Sequence, residues 1–132
     1  MNNATADKGL RDRAAKLRSL SRVLTAEVLR NTVKRFEALV ASDISAQRAP
    51  DGTPWTPTQD GHPALQNAAK AVQIRTTGGS VVLSVEGVEW RHNVGAVNGG
   101  RRRALIPSGE LPKSYADAVD QEVRIAFSRA LR

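Results

Sequence analysis

The chain has 132 residues, no cysteine and a formal net charge of +7. That length suits one domain able to bury about two-thirds of its unfolded surface, and the missing thiols exclude disulfides, cysteine-based zinc sites and thiol catalysis. A sequence pI near 10.8 gives a basic surface that prefers an acidic partner, be it nucleic acid, protein or an anionic surface, and names none of them.

From Asp7 to Gln47 no proline interrupts the chain and the lone glycine is Gly9. Leu17, Leu20, Leu24 and Val28, then Leu29, Val33, Phe36, Val40 and Ile44, recur every three or four residues, with Arg22, Arg30, Lys34 and Arg35 between them. That period predicts an amphipathic helix. The stripe changes face between the two sets, which predicts a break near Ser19 to Thr25, with a short first helix and a long second one. A helix of about 24 residues reaches roughly 36 Å, more than a small sheet can cover, so part of its stripe is expected to face another subunit. Upstream, residues Met1 to Gly9 are polar and lack the apolar stretch of a secretory signal, and no apolar run is long enough to span a bilayer. A soluble protein made inside the cell is the resulting expectation.

The stretch Arg48-Ala49-Pro50-Asp51-Gly52-Thr53-Pro54-Trp55-Thr56-Pro57 concentrates conformational restriction around one large apolar side chain. Pro50 presets φ, Asp51 can bond its own backbone and Gly52 is free to take positive φ, so the chain turns here. Pro54 and Pro57 push Thr53 and Thr56 toward extended conformations, which holds Trp55 in a stiff non-helical segment. Its indole is either a plug in the domain's own core or an anchor for a neighbouring subunit.

Residues 58–62 read as loop, and Pro63 to Lys70 can hold a short helical turn. Val72-Gln73-Ile74-Arg75 and Val81-Val82-Leu83-Ser84-Val85 flank Gly78-Gly79, which predicts a β-hairpin turning over Thr77 to Ser80. Gly87 permits a further turn, and Val88-Glu89-Trp90-Arg91 begins a third short element. Asn93 to Gly100 is small and polar and leads into Arg101, Arg102 and Arg103, a mobile loop with a block of charge. Those arginines are solvated, face an acidic surface on a neighbour, or meet DNA phosphates, where each could release a counterion. No aromatic residue interleaves them, as a platform for stacking single strands would require. Arg103 to Pro107 reads as a last strand, and Ser108 to Pro112 as a turn. From Lys113 to Leu131 the pattern is helical, with Ser114 and Asp117 in capping-box spacing and Tyr115, Val119, Val123, Ala126 and Ala130 as an inward stripe. Phe127 and Leu131 widen it, and the helix is expected to lie across the same sheet face as the N-terminal one.

Together these elements predict a single α+β domain over residues 1–132, with a long N-terminal helix and a C-terminal helix packed on a small, mainly antiparallel sheet. Residues 1–20 form a helical arm suited to a subunit contact.

Catalytic patterns are not found. His62 and His92 are the two histidines and stand apart, with no carboxylate at metal-ligand spacing. Gly78-Gly79 and Gly99-Gly100 lack the lysine and helix start of a phosphate loop, no serine sits in a nucleophile elbow, and Asp43, Asp51, Asp60 and Glu110 form no acid–base pair. The expectation is a protein with no enzymatic activity, no catalytic residue, no metal and no cofactor.

A basic amphipathic helix running into Gln47-Arg48-Ala49-Pro50-Asp51-Gly52-Thr53-Pro54-Trp55 resembles the tailed-phage virion-morphogenesis family, the tail-completion proteins. In that family a long helix also ends in an Arg-x-Pro-Asp-Gly-x-Pro-Trp-x-Pro stretch. Trp90, His92 and Gly95 stand where the family has an aromatic residue, a histidine and a glycine. Arg103 to Pro112 follows the family order of basic residue, apolar strand, proline-containing turn and final helix, although Arg-Arg-Ala-Leu-Ile-Pro replaces its Pro-x-Arg-Pro-Phe-like run.

The resemblance implies a structural virion protein of the tail or neck, assembled in the host cytoplasm. It would be a tail-terminator subunit forming a hexameric ring at the head–tail junction, capping the tail tube and joining it to the head-side connector or head-closure proteins. DNA in the channel is then a non-specific contact, and no membrane is involved. Under this reading Arg48, Pro50, Asp51, Gly52, Pro54, Trp55 and Trp90 are subunit-interface or structural anchors, and Arg101 to Arg103 the basic loop. The alternative that the charge allows is a small nucleic-acid-binding module.

Overall fold

The computed structural model describes residues 3–87, 89–94 and 103–131. The side chain of Leu17, together with Val88, Gly95, Arg101 and Arg102, lies outside the described residues. The fold is a small α+β arrangement: helix α1 (Asn3–Ser45), a 3-10 turn (Ala68–Ala71), strands β1 (Val72–Thr77) and β2 (Ser80–Val85), helix α2 (Glu89–Val94) and helix α3 (Lys113–Ala130).

Helix α1 runs for 43 residues without the expected break. Ser and Thr near the change of stripe do not interrupt it; Thr25 spends its hydroxyl on the Ser21 carbonyl at 2.8 Å, four residues upstream, within the helix. The two apolar sets therefore lie on different faces of one rod about 65 Å long. Its C-terminal part is the floor of the core. Thr32, Phe36, Val40, Asp43 and Ile44 are buried there, whereas no described side chain from Lys8 to Asn31 is buried. The helix ends with Gln47 in the left-handed region at φ 57°. Gln47 N–H bonds the Ile44 carbonyl and Arg48 N–H the Asp43 carbonyl, both at 3.0 Å, the paired closing bonds of a Schellman motif.

β1 and β2 form an antiparallel pair in the expected register, Thr77 opposite Ser80, with Gly78 at φ 58° taking the tight turn. Among the described residues this sheet has only those two strands. The expected last strand from Arg103 to Pro107 is not formed. That segment is extended but unladdered: Leu105 N–H and Ile106 N–H both donate to the Asn93 side-chain oxygen, at 2.8 and 3.1 Å, and Arg103 N–H to the His92 carbonyl at 3.0 Å. One buried asparagine on α2 satisfies the donors that a neighbouring strand would have taken. Asn93, expected in a polar loop, is thus a helical core residue.

Helix α3 starts at Lys113 after Pro112, and no side chain caps it. Ser114 already lies inside the helix, so the expected capping box is replaced by an i,i+4 pair between Lys113 and Asp117 at 2.9 Å. Its buried face is Tyr115, Ala118, Glu122 and Ala126, rotated from the expected stripe, and Phe127 and Leu131 are exposed. The reason is its partner. A two-stranded sheet is too narrow to seat two helices, and α3 instead packs antiparallel along α1. Arg35 Nε donates to the Glu122 carboxylate, Arg35 Nη1 to Gln121 at 2.6 Å, and Arg129 to Glu27 at 2.7 Å. The buried position of Glu122 exists because Arg35 faces it from α1.

Candidate functional site

The proline-rich loop after α1 is a closed miniature. Ala49 N–H bonds the Thr53 carbonyl at 2.8 Å and Gly52 N–H the Ala49 carbonyl at 2.9 Å, with Gly52 at φ 90°. Asp51 accepts from Thr53 N–H at 2.9 Å, and Arg48 bridges to Pro54. These are the roles that the residue types of the turn predict. Trp55 N–H then returns to the Gln47 carbonyl at 2.8 Å, so the tryptophan enters the protein directly beneath the end of α1.

The structure decides between the two readings of Trp55. At 6% exposure it belongs to the core cluster with Phe36, Val40, Ile44, Leu105 and Tyr115, and its indole N–H donates to the Ala104 carbonyl at 3.2 Å. It is a plug of its own chain. Burial of an indole contributes about 4–6 kcal/mol as an upper bound.

Arg103 closes the same joint from the other side. Expected on a mobile basic loop, it is buried, and its Nε and Nη2 donate to the Thr56 carbonyl at 3.1 and 2.9 Å. A guanidinium can be held inside because two of its donors are aimed at one backbone carbonyl. Two reciprocal ties, Trp55 to Ala104 and Arg103 to Thr56, therefore lock the proline loop onto segment 103–106.

Polar groups missed at the sequence level complete the joint. Gln47 donates through Nε2 to the carbonyls of Ile44 and Ala64, at 2.9 and 2.8 Å, and accepts from Ala64 N–H at 2.6 Å. Asp43 accepts from Arg48 Nε at 2.8 Å. Burial pushes the Asp43 carboxyl above its ordinary range, against the pull of Arg48. Tyr115, 0% exposed, packs its ring 4.9 Å from that of Phe36. Burial, and then the Asp43 charge, hold its phenol well above the usual range. No sequence pattern marks Gln47 or Asn93, since each works by reaching a backbone far along the chain.

Trp90 is the opposite case, 52% exposed on the short helix α2. Leu10, Leu20 and Val23 are exposed along α1. Among the described residues no three His, Cys, Asp or Glu side chains gather as metal ligands, and no helix is long and apolar enough to cross a membrane. No family model, curated protein or solved structure matches the chain.

Proposed function

We propose that this chain is a structural virion protein, a tail-completion or terminator subunit that joins others in a ring at the head–tail junction, capping the tail tube and contacting the head-side connector. The observation that carries the reading is the outer half of α1. From Lys8 to Asn31 the helix buries none of its described side chains, yet it presents Leu10 at 66% and Val23 at 61% exposure. Scattered apolar residues are normal on a surface, but a basic helical rod projecting beyond the core and carrying several of them is what a partner subunit covers. The rigid proline loop supports the same reading by fixing the angle at which α1 leaves the core.

A closed ring uses heterologous contacts, one patch of each subunit meeting a different patch on the next. The α1 arm and the exposed Trp90 are two such unlike patches, and an interlocking subunit of this kind performs no reaction. Sedimentation and negative-stain imaging of the purified chain, alone and mixed with tail-tube protein, test the proposal. Rings, or particles seated on tube ends, are the expected result. A persistent monomer that instead binds duplex DNA tightly, with steep salt dependence, overturns it.

A further inference from the structure

On α1 the buried row Thr32, Phe36 and Val40 continues toward the N-terminus as Leu29, Thr25 and Ser21, and there the core stops while the helix goes on. Two grooves flank that continued row and share those three residues. On the α3 side a groove of ≈ 380 Å³ is lined by Leu20, Leu24, Val28, Val123, Ala126 and Phe127. On the hairpin side a wider one of ≈ 940 Å³ carries Arg22, Arg30, Lys34 and Arg75, with Glu37 as its one acidic group. None of those four cations makes an ion pair among the described residues. The cleft is thus apolar along one wall and cationic along the other, over about 20 Å of helix axis.

The geometry points to this cleft as the docking site for an acidic amphipathic helix of a different protein, its leucine-like face against Phe127 and its carboxylates against Arg30, Lys34 and Arg75. Such a helix would complete the layer between α3 and the hairpin that Thr32 and Phe36 begin. Charge complementarity selects the occupant. A second copy of this chain does not offer one: α1 carries more Lys and Arg than Asp and Glu, and α3 carries equal numbers. A nucleic-acid strand would satisfy the cations but leave the Leu24–Val28–Phe127 wall facing a phosphodiester, and no aromatic ring lines the cationic side for bases to stack on. The inference concerns the single chain and holds whether or not rings form.

Fluorescence anisotropy with a synthetic peptide of about 18 residues, five helical turns, with leucine along one face and glutamate elsewhere, tests it. Saturable binding is expected, weakened about tenfold or more both by Phe127→Glu and by Arg30→Glu with Lys34→Glu. All three side chains are exposed, so the melts of these variants should match the parent. The same peptide with lysine for glutamate, and a scrambled acidic peptide without the leucine face, should not bind. Absence of saturable binding, or equal binding of the scrambled peptide, overturns the inference. So does self-association of the parent that Phe127→Glu abolishes, which makes a second copy the occupant. A single-stranded oligonucleotide that binds in place of the peptide and is lost with Arg30 and Lys34 also overturns it. A chain that binds the peptide but forms no ring would separate this inference from the ring reading.

Discussion

The two halves of α1 have similar helix-forming composition and opposite fates. From Thr32 onward the helix is packed on three sides, by α3, by the hairpin and by the proline loop with Trp55 beneath its end; before Thr32 none of its described side chains is buried. Helical periodicity alone does not separate the halves, since both repeat apolar residues every three or four positions. The difference lies in what the rest of the chain can reach. α3 ends beside Glu27, where Arg129 pairs with it, and the hairpin tip lines a groove alongside residues 21–37 of the helix. An apolar stripe stabilises a fold only where a second surface meets it, so the outer half, half-buried at most among its described side chains and tied to α3 through Glu27, draws more of its stability from its own backbone bonds.

Breaking the inner half should cost most. Trp55→Ala removes a side chain at 6% exposure that also closes a hydrogen bond to Ala104, and should destabilise by about 3–5 kcal/mol. Trp90→Ala, on a side chain half in solvent, should stay within about 0.5 kcal/mol. Urea titration of both variants checks the contrast, and equal losses would mean that exposure is not what separates the two tryptophans.

The joint beside Trp55 comes next. Arg103→Met keeps an apolar stem but leaves the Thr56 carbonyl without its two donors, at a cost of about 2 kcal/mol in the same titration. An unaltered midpoint would place Arg103 on the surface after all, where a block of three arginines in sequence would put it.

That arginine marks the limit of what the sequence allows one to read. The hairpin was legible because its cause is local: Gly78-Gly79 between two alternating runs admits one register. Both long helices were legible from the absence of proline and from periodicity, though not the continuity of α1 through the expected break near Ser19 to Thr25, and the proline loop from Pro50, Asp51 and Gly52. Which face α3 buries was not, because Glu122 looks like a surface residue until Arg35 is set opposite it. Nor was the unladdered segment after Arg103. Its apolar letters read as strand, while the groups that satisfy it, Asn93 and the Thr56 carbonyl, are distant in sequence, the latter by 47 residues. The tight turn itself was foreseen residue by residue, but whether its tryptophan faced inward depended on Ala104 and Leu105.

A subtler test concerns Asp43, where the inner half carries a charge. Its folded carboxyl titrates above the unfolded value of 3.8 because burial outweighs the nearby Arg48. For an acid shifted upward, the favourable contribution is complete below the unfolded value and disappears as pH rises through the folded one. The native chain should therefore lose stability from this group between about pH 4 and the raised value. Asp43→Asn cannot ionise and still accepts from Arg48. Its melting temperature relative to the parent should rise as pH is taken from about 4 to 7; a difference independent of pH would show that the carboxyl is not perturbed by burial.

The smallest expected effect on stability is the most informative about the outer half. Leu10→Gln with Val23→Gln replaces two exposed side chains that touch no core residue, and glutamine is as good a helix former as leucine within a few tenths of a kcal/mol. The melt should move by less than about 0.5 kcal/mol. Assembly should respond differently: if the arm is the patch that a neighbouring subunit covers, the doubly substituted chain should remain folded and monomeric under conditions where the parent sediments as a ring. A destabilised monomer would mean that the arm is folded back onto the domain in solution, and an intact ring would move the subunit contact away from the arm, toward the exposed face that carries Trp90.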